Sequence, residues 1–267
     1  MRYSALSLLG NAFSKNKNWK PAWRNPDPKP HYDVIIIGGG GHGLATAYYL
    51  SKVFGVRNVA VLEKGYLGSG NIGRNTTIIR SNYLLEGNNP FYEFSMKLWE
   101  GLEQDFNFNA MVSQRGVINL FHSDAQRDAY TRRGNAMRLH GEDAELLDRD
   151  QLREKLPFLD YENARFPIMG GLMQARGGTV RHDAVAWGFA RGADQNGVDI
   201  IQNCEVTGID RDGNQITGVQ TPRGAITCNK LAMAVAGSSS HVAKMVDMRL
   251  PIESHALQAF VSEGLKP

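Results

Sequence analysis

Tyr32-Asp33-Val34-Ile35-Ile36-Ile37-Gly38-Gly39-Gly40-Gly41-His42-Gly43 carries two signals end to end. Its first half is an unbroken apolar run, the mark of a strand buried on both faces. Its second half satisfies G-x-G-x-x-G through Gly38, Gly40 and Gly43. Beyond it, Ala47, Leu50 and Phe54 recur at helical spacing over residues 42–54, and Gly55 supplies a stop. Val59-Ala60-Val61-Leu62 reads as a second buried strand, which completes a β-α-β unit of about 30 residues. Each glycine has a task there: Gly38 permits the tight turn, Gly40 lets the backbone approach a pyrophosphate, and Gly43 lets helix and strand pack closely. The helix entrance offers free N–H groups and the positive end of a dipole to phosphates. Glu63 closes the second strand, where a carboxylate can accept ribose hydroxyls. That acid disfavours a 2′-phosphate and hence NADP, while FAD and NAD both remain. A glycine-rich turn that binds nothing is the competing reading, and two strands, a helix and an acid in register weigh against it.

Upstream, residues 4–13 are mildly apolar and are followed by Lys15, Lys17 and Lys20. A secretory signal has its charges first and a longer apolar core, so residues 1–31 are expected to be an extension. Pro21, Pro26, Pro28 and Pro30 make its second half a stiff linker. Nothing in the chain is apolar over the length a bilayer requires, and no membrane partner is expected.

Downstream, residues 65–75 are rich in glycine and asparagine and read as a loop. Residues 93–106 and 125–139 look helical, and 116–121 and 170–175 look like strands, so a second domain is expected over the middle of the chain. Residues 183–196 form a helix ended by Gly197. Short strands at 198–202, 205–209, 215–220 and 224–228, with turns at Asp212-Gly213 and Pro222-Arg223-Gly224, predict a small antiparallel meander. The apolar run 231–235 is expected to return to the parallel sheet, and a last strand is expected at 256–262. The fold class is therefore α/β: a Rossmann-type domain, an interleaved α+β domain and a small β-meander.

With 30 basic and 27 acidic residues the formal charge is only +3, and no basic run is interleaved with aromatics, so no nucleic-acid partner is expected. Cys204 and Cys228 stand apart, without the spacing of a disulfide framework or a zinc site. No metal is expected, and a reducing cytoplasm fits best.

The stretch Gly68-Ser69-Gly70-Asn71-Ile72-Gly73-Arg74-Asn75-Thr76-Thr77-Ile78-Ile79-Arg80 resembles the flavin-contacting loop of the glycine oxidase, sarcosine oxidase and D-amino-acid oxidase superfamily, which uses FAD. Gly178-Thr179-Val180-Arg181-His182-Asp183, the helix and strand after it, and the Ala236-Gly237 ending also match its layout. Residues 38–50, 75–83 and 200–208 are similar in particular to the beta subunits of heterotetrameric sarcosine oxidases, and the likeness runs from about residue 32 to 263.

That resemblance implies FAD held non-covalently at Gly38, Gly40, Gly41, His42, Gly43, Glu63, Lys64, Asn71, Arg74, Thr76 and Thr77, with Val206 meeting the adenine end through its backbone. Ordinary loop capping competes for Asn71, Thr76 and Thr77. Arg80 matches the arginine that pairs with the substrate carboxylate, a task suited to a planar, permanently charged fork. An internal ion pair is its alternative. His182 matches the histidine bonded covalently to FMN, for which a neutral ring nitrogen is needed. A cap or surface histidine is the bland alternative.

The implied reaction is hydride loss from the secondary amine of sarcosine to FAD, passage of electrons to FMN, and reduction of oxygen to hydrogen peroxide. The one-carbon unit would go to tetrahydrofolate on an alpha subunit, with gamma and delta subunits completing the heterotetramer. In domain terms, 1–31 is extension and linker, 32–88 and 176–250 are the FAD-binding segments, 89–175 is substrate domain, and 251–267 begins a further substrate-domain strand. The family continues past Pro267 with another strand, a second glycine-rich flavin loop and a lysine near the flavin, so a C-terminal truncation is expected. A single-FAD glycine or dimethylglycine dehydrogenase-like enzyme and a non-catalytic FAD-binding subunit stay open as alternatives.

Overall fold

The structure is a computed structural model that describes residues 4–17, 19, 21–85, 87–258 and 263. In chain order its elements are α1 (Ala5–Phe13), β1 (His31–Ile37), α2 (Gly41–Val53), β2 (Val59–Leu62), β3 (Ile78–Ile79), α3 (Asn88–Phe106), β4 (Val117–Phe121), α4 (Asp124–Leu139), β5 (Glu145–Asp148), α5 (Arg149–Lys155), β6 (Gly170–Gln174), β7 (Gly178–Thr179), α6 (His182–Gln195), β8 (Asp199–Ile201), β9 (Gly208–Asp212), β10 (Gln215–Thr221), β11 (Gly224–Met233) and α7 (Ser239–Lys244). Two compact units divide them: Met1–Asn71 with Phe189–Ala256, and Ile72–Gly188 with Leu257–Pro267.

The first unit is built on one six-stranded sheet in the order β8-β2-β1-β11-β10-β9. Its four parallel strands are aligned by Ile36, which faces Val61 on β2 and Ala232 on β11. Ile35, Ile36, Ala60 and Val61 are fully buried. Each large one among them contributes about 1.5–3 kcal/mol by leaving water. Parallel neighbours need crossovers, and α2 supplies the one between β1 and β2. Tyr48 on α2 lies against α6: a Cβ on Gly192 would come within 2.7 Å of its ring. The Tyr48 and Phe189 rings meet edge to face at 5.6 Å, and Asn196 donates to the Ser51 hydroxyl at 3.2 Å.

Three expectations need correction here. Residues 198–202 do not open the meander: β8 pairs in parallel with β2, Ile200 beside Val61. Val198, Ile200 and Ile201 are fully buried and Asp199 between them is 3 % exposed, the burial of a strand covered on both faces. The strand expected at 205–209 begins only at Gly208, because Asn203 adopts φ +52° and the Asn203 and Cys204 N–H groups donate to Gly65 and Glu63 carbonyls instead of to a ladder. The meander is thus β9-β10-β11 alone. Nor are 224–228 and 231–235 two strands. β11 is continuous, antiparallel to β10 through Thr227 and parallel to β1 as far as Met233.

The proline-rich segment before β1 is anchored along the β8 side of this unit. Asp199, 3 % exposed, receives the Lys29 ammonium at 2.8 Å and the Tyr32 hydroxyl at 3.1 Å. Burial, with the Asp199 charge adding to it, pushes the Tyr32 phenol up to about 12. Arg24 pairs with Asp194 at 2.7 Å, and the Gln202 N–H donates to Asn25 at 2.9 Å. Before it, α1 is capped by the Ser4 hydroxyl and buries none of its residues. No described helix is long and apolar enough to cross a membrane.

The second unit holds an antiparallel sheet, β4-β6-β5, and a two-residue ladder, β3-β7. Leu147, Leu152, Tyr161 and Ile168 form a buried cluster beneath it. α5 is started by a capping box in which Asp148 accepts from the Gln151 N–H and the Gln151 side chain reaches back. The helices and strands expected over 93–106, 116–121, 125–139 and 170–175 are present, α3 starting earlier at Asn88. The strand expected at 256–262 is irregular through residue 258, and its remainder lies outside the described residues.

Candidate functional site

The β1–α2 turn is shaped by what its glycines exclude. Gly38 has φ +106°, and a Cβ there would stand 2.4 Å from the Ala234 carbonyl oxygen at the end of β11. A Cβ on Gly43 would stand 1.9 Å from the Gly38 carbonyl oxygen, so α2 begins as close to β1 as backbone allows. Gly40 differs: a Cβ there meets nothing within 4 Å. That open volume faces the start of α2, whose first intrahelical bond runs from Leu44 to Gly40. The N–H groups of Gly41, His42 and Gly43 consequently have no carbonyl within the helix to donate to, and they suit a phosphate.

Glu63 follows β2 and closes the cradle. Its carboxylate accepts from the Gly39 N–H at 2.8 Å and from the Gly65 N–H at 2.9 Å, one bond to each oxygen. Each oxygen keeps a lone pair, so bracing the turn and accepting ribose hydroxyls are compatible. Lys64 and Asn71 are exposed, as is His42. Val206 is 7 % exposed, in the irregular stretch between β8 and β9, and among the described residues no hydrogen bond occupies its backbone groups. These residues fit the ADP half of FAD: an empty volume at the one glycine that must admit a phosphate, free donors behind it and an acid beside it.

Arg74, Thr76, Thr77, Arg80 and His182 belong to the second unit. A single turn of 3-10 helix, Asn71–Arg74, interrupts the loop expected over 65–75. Thr77 takes φ +64°, a costly conformation for a β-branched residue. Asn75 holds it there: its side-chain Oδ1 accepts from the Thr77 N–H at 2.7 Å while its Nδ2 donates to the Ile72 carbonyl at 2.8 Å. Asn75 is not among the residues that the resemblance implies, although an asparagine two residues before a turn carries an Asx-turn signal. Gln202, which takes the Leu67 N–H at 2.9 Å, was missed with no comparable signal.

The β3-β7 ladder brings two distant stretches together, Ile78 beside Thr179 and Ile79 beside Gly178. The Val180 N–H donates to the Thr77 carbonyl at 3.0 Å. His182, the first residue of α6, therefore stands just beyond the strand that flanks Thr77 and Arg80. It is half-buried, and its Nδ1 is buried with no hydrogen-bond partner among the described residues, so that nitrogen caps nothing. Arg181 forks onto Asp183 at 2.7 and 2.9 Å, and this pairing holds the Asp183 carboxyl below its usual range. Arg80 is half-buried and has no ion pair among the described residues. It donates to Asn82 at 2.9 Å and lies 5.1 Å over the Tyr83 ring.

A fold with a parallel sheet, a dinucleotide turn and this loop arrangement defines a class. The family model described as FAD dependent oxidoreductase matches residues 33–267, and the chain belongs to that family. Within it, the chain is 79 % identical over 267 residues to the sarcosine oxidase subunit beta of Rhizobium meliloti, covering all of this chain and 64 % of that protein. It is 53 % identical over 246 residues to the namesake subunit of an Arthrobacter species, covering 92 % of this chain and 61 % of the relative. The chain thus spans less than two thirds of these relatives. Among solved structures, glycine oxidase from Bacillus cereus superposes with a TM-score of 0.66 at 26 % identity, covering 80 % of this chain and 57 % of that one. L-proline dehydrogenase from P. horikoshii shares the fold with a TM-score of 0.78 at 24 % identity, covering 84 % and 58 %.

Proposed function

We propose that this chain supplies the FAD-binding, amine-oxidising part of a sarcosine oxidase beta subunit. Non-covalent FAD would be held by Gly38, Gly40, Gly41, His42, Gly43, Glu63, Lys64, Asn71, Arg74, Thr76, Thr77 and Val206. The observation that carries the substrate reading is Arg80: a half-buried guanidinium whose charge no carboxylate of the described residues answers. A fixed cation of that kind suits the carboxylate of N-methylglycine, gripped through two parallel hydrogen bonds. Holding that end of a small substrate leaves its methylamine end to be aimed by the same contact.

When bound, FAD supplies the acceptor for the amine hydride, and FMN on His182 a relay towards oxygen. The overall products would be glycine, hydrogen peroxide and, where tetrahydrofolate takes the one-carbon unit, methylenetetrahydrofolate. Support for the FMN assignment comes from the unpartnered buried nitrogen of His182, whose bonding capacity is unspent. The proposal includes alpha, gamma and delta subunits as partners and residues 89–175 as the core of the substrate domain. It also includes a cytoplasmic location, in keeping with free thiols at Cys204 and Cys228.

The test is to express the chain with its partner subunits and flavin, then denature it in acid. A flavin mass increment that stays with the polypeptide and is lost in His182→Ala is expected. An increment that survives the substitution defeats the FMN assignment. Sarcosine added without oxygen should bleach the flavin absorbance, and a colourless protein with no affinity for added FAD would end the whole reading.

A further inference from the structure

Arg80 is directed by a neutral relay. Its Nη1 donates to the Asn82 Oδ1 at 2.9 Å, and the Asn82 Nδ2 donates in turn to the Asn119 Oδ1 at 2.6 Å. Asn82 is 1 % exposed, so both of its bonds are made away from water. Asn119 lies on β4, paired with Leu172 of β6. Ser81, between Arg80 and Asn82, is fixed to β6 as well: its N–H donates to Gln174 at 3.0 Å and its hydroxyl accepts from Gln174 at 2.7 Å. The two residues that follow Arg80 are therefore tied to a three-stranded sheet, and the guanidinium is held by a sheet-anchored amide.

The chemistry of that amide matters. A carboxylate at position 82 would orient the fork equally well but neutralise it and compete with an incoming anion. An amide occupies one of five donors and leaves the charge whole. Its orientation is also determined, because the donor-only guanidinium can face only the Asn82 oxygen, which leaves the NH2 to the Asn119 oxygen.

We infer that Asn82 is a positioning residue that aims Arg80 at a substrate carboxylate without cancelling its charge. This rests on Arg80 being the carboxylate anchor proposed above. The probe is acetate, a carboxylate with no oxidisable amine, titrated into the flavin-loaded holoenzyme by its shift of the flavin absorbance. Steady-state kinetics on sarcosine accompany it. Arg80→Ala should weaken acetate binding by ~30-fold or more, the loss of a charged, bidentate contact. Asn82→Asp, nearly isosteric, should weaken it by ~10-fold or more and raise KM with kcat changed less than ~2-fold, because a permanent ion pair replaces the free charge. In the Arg80→Ala background Asn82→Asp should add nothing, since the two act as one unit.

Acetate affinity in Asn82→Asp equal to that of the unsubstituted protein, or an effect that adds in full to Arg80→Ala, overturns the positioning role and leaves the anchor standing. Unchanged affinity in Arg80→Ala overturns the anchor and this inference with it. Should Asn82→Asp fail to fold, Asn119→Ala takes its place. Freeing the Asn82 amide should then weaken acetate by ~3-fold or more through loss of one relay bond, and no change in that variant overturns the inference.

Discussion

The Glu63 carboxylate and the Gly39 N–H are joined at 2.8 Å, so the acid expected to meet a ribose is also a strut of the turn that meets the phosphates. Its other oxygen holds the Gly65 N–H at 2.9 Å. One side chain thereby sets the spacing between the end of β1 and the end of β2.

Glu63→Ala should therefore damage both stability and binding. Two charge-assisted bonds to backbone donors are lost, and a cost of about 2–4 kcal/mol in unfolding free energy is expected. FAD affinity should fall by ~10-fold or more over the same substitution. Thermal unfolding with and without added FAD reads both, and a melting temperature unchanged without flavin would show that Glu63 braces nothing.

Two of the fingerprint glycines, Gly40 and Gly43, should separate under substitution. Gly43→Ala forces a methyl group against the Gly38 carbonyl and should cost at least ~2 kcal/mol of stability. Gly40→Ala enters open space, leaving the unfolding transition in place while flavin binding weakens by ~10-fold or more. Equal affinity for FAD in Gly40→Ala and the unsubstituted protein would mean that the phosphates sit elsewhere.

Glu142, 4 % exposed, has both carboxylate oxygens without hydrogen-bond partners among the described residues. Burial, reinforced by the Glu93 charge, pushes its carboxyl up to about 7. The folded protein thus holds this proton more tightly than the unfolded chain does. The associated stability is full below the ordinary carboxylate range near pH 4.5 and is lost as pH rises through about 7. Glu142→Gln should flatten that dependence and raise stability at pH 8 by on the order of 1–2 kcal/mol. Urea unfolding at pH 5, 6.5 and 8 measures it, and parallel curves for the two proteins would contradict the assignment.

Asp199→Ala should release the segment before β1. It takes away the acceptor of the Tyr32 hydroxyl proton and removes the Lys29 partner, at a cost of about 1–3 kcal/mol. Limited proteolysis should then cut between residues 21 and 30 at least ~5-fold faster than in the unsubstituted protein. An unaltered digestion pattern would place the anchor elsewhere.

How much of this was legible beforehand divides along physical lines. β1, α2 and β2 were read to within two residues at each end because continuous burial, helical spacing and a glycine turn coincide there. β3 and β7 were not, since two-residue strands have no periodicity, and their ladder exists only because residues a hundred apart in the chain meet. β8 reads as part of the meander because it is short and Asp199 interrupts its apolar run between Val198 and Ile200. β11 reads as two strands because its first half alternates and its second is apolar, the natural appearance of one strand with different neighbours along its length. The chemistry-bearing residue types of the site were visible, whereas Asn75, Gln202 and Asn82 act through amide bonds whose partners no spacing rule reveals.

The central strand β1 has β2 on one flank and β11 on the other, and the β11 residue Thr227 lies 196 positions after its partner His31. A nascent polypeptide thus exposes the central strand of this sheet with one side bare until β11 has been synthesised. The carbonyl of Ala234, which walls the glycine turn, follows Gly38 by 196 positions. Capture of a cofactor at that turn accordingly waits for β11 to pair, and the intermediate without that pairing is the one that leaves β1 exposed.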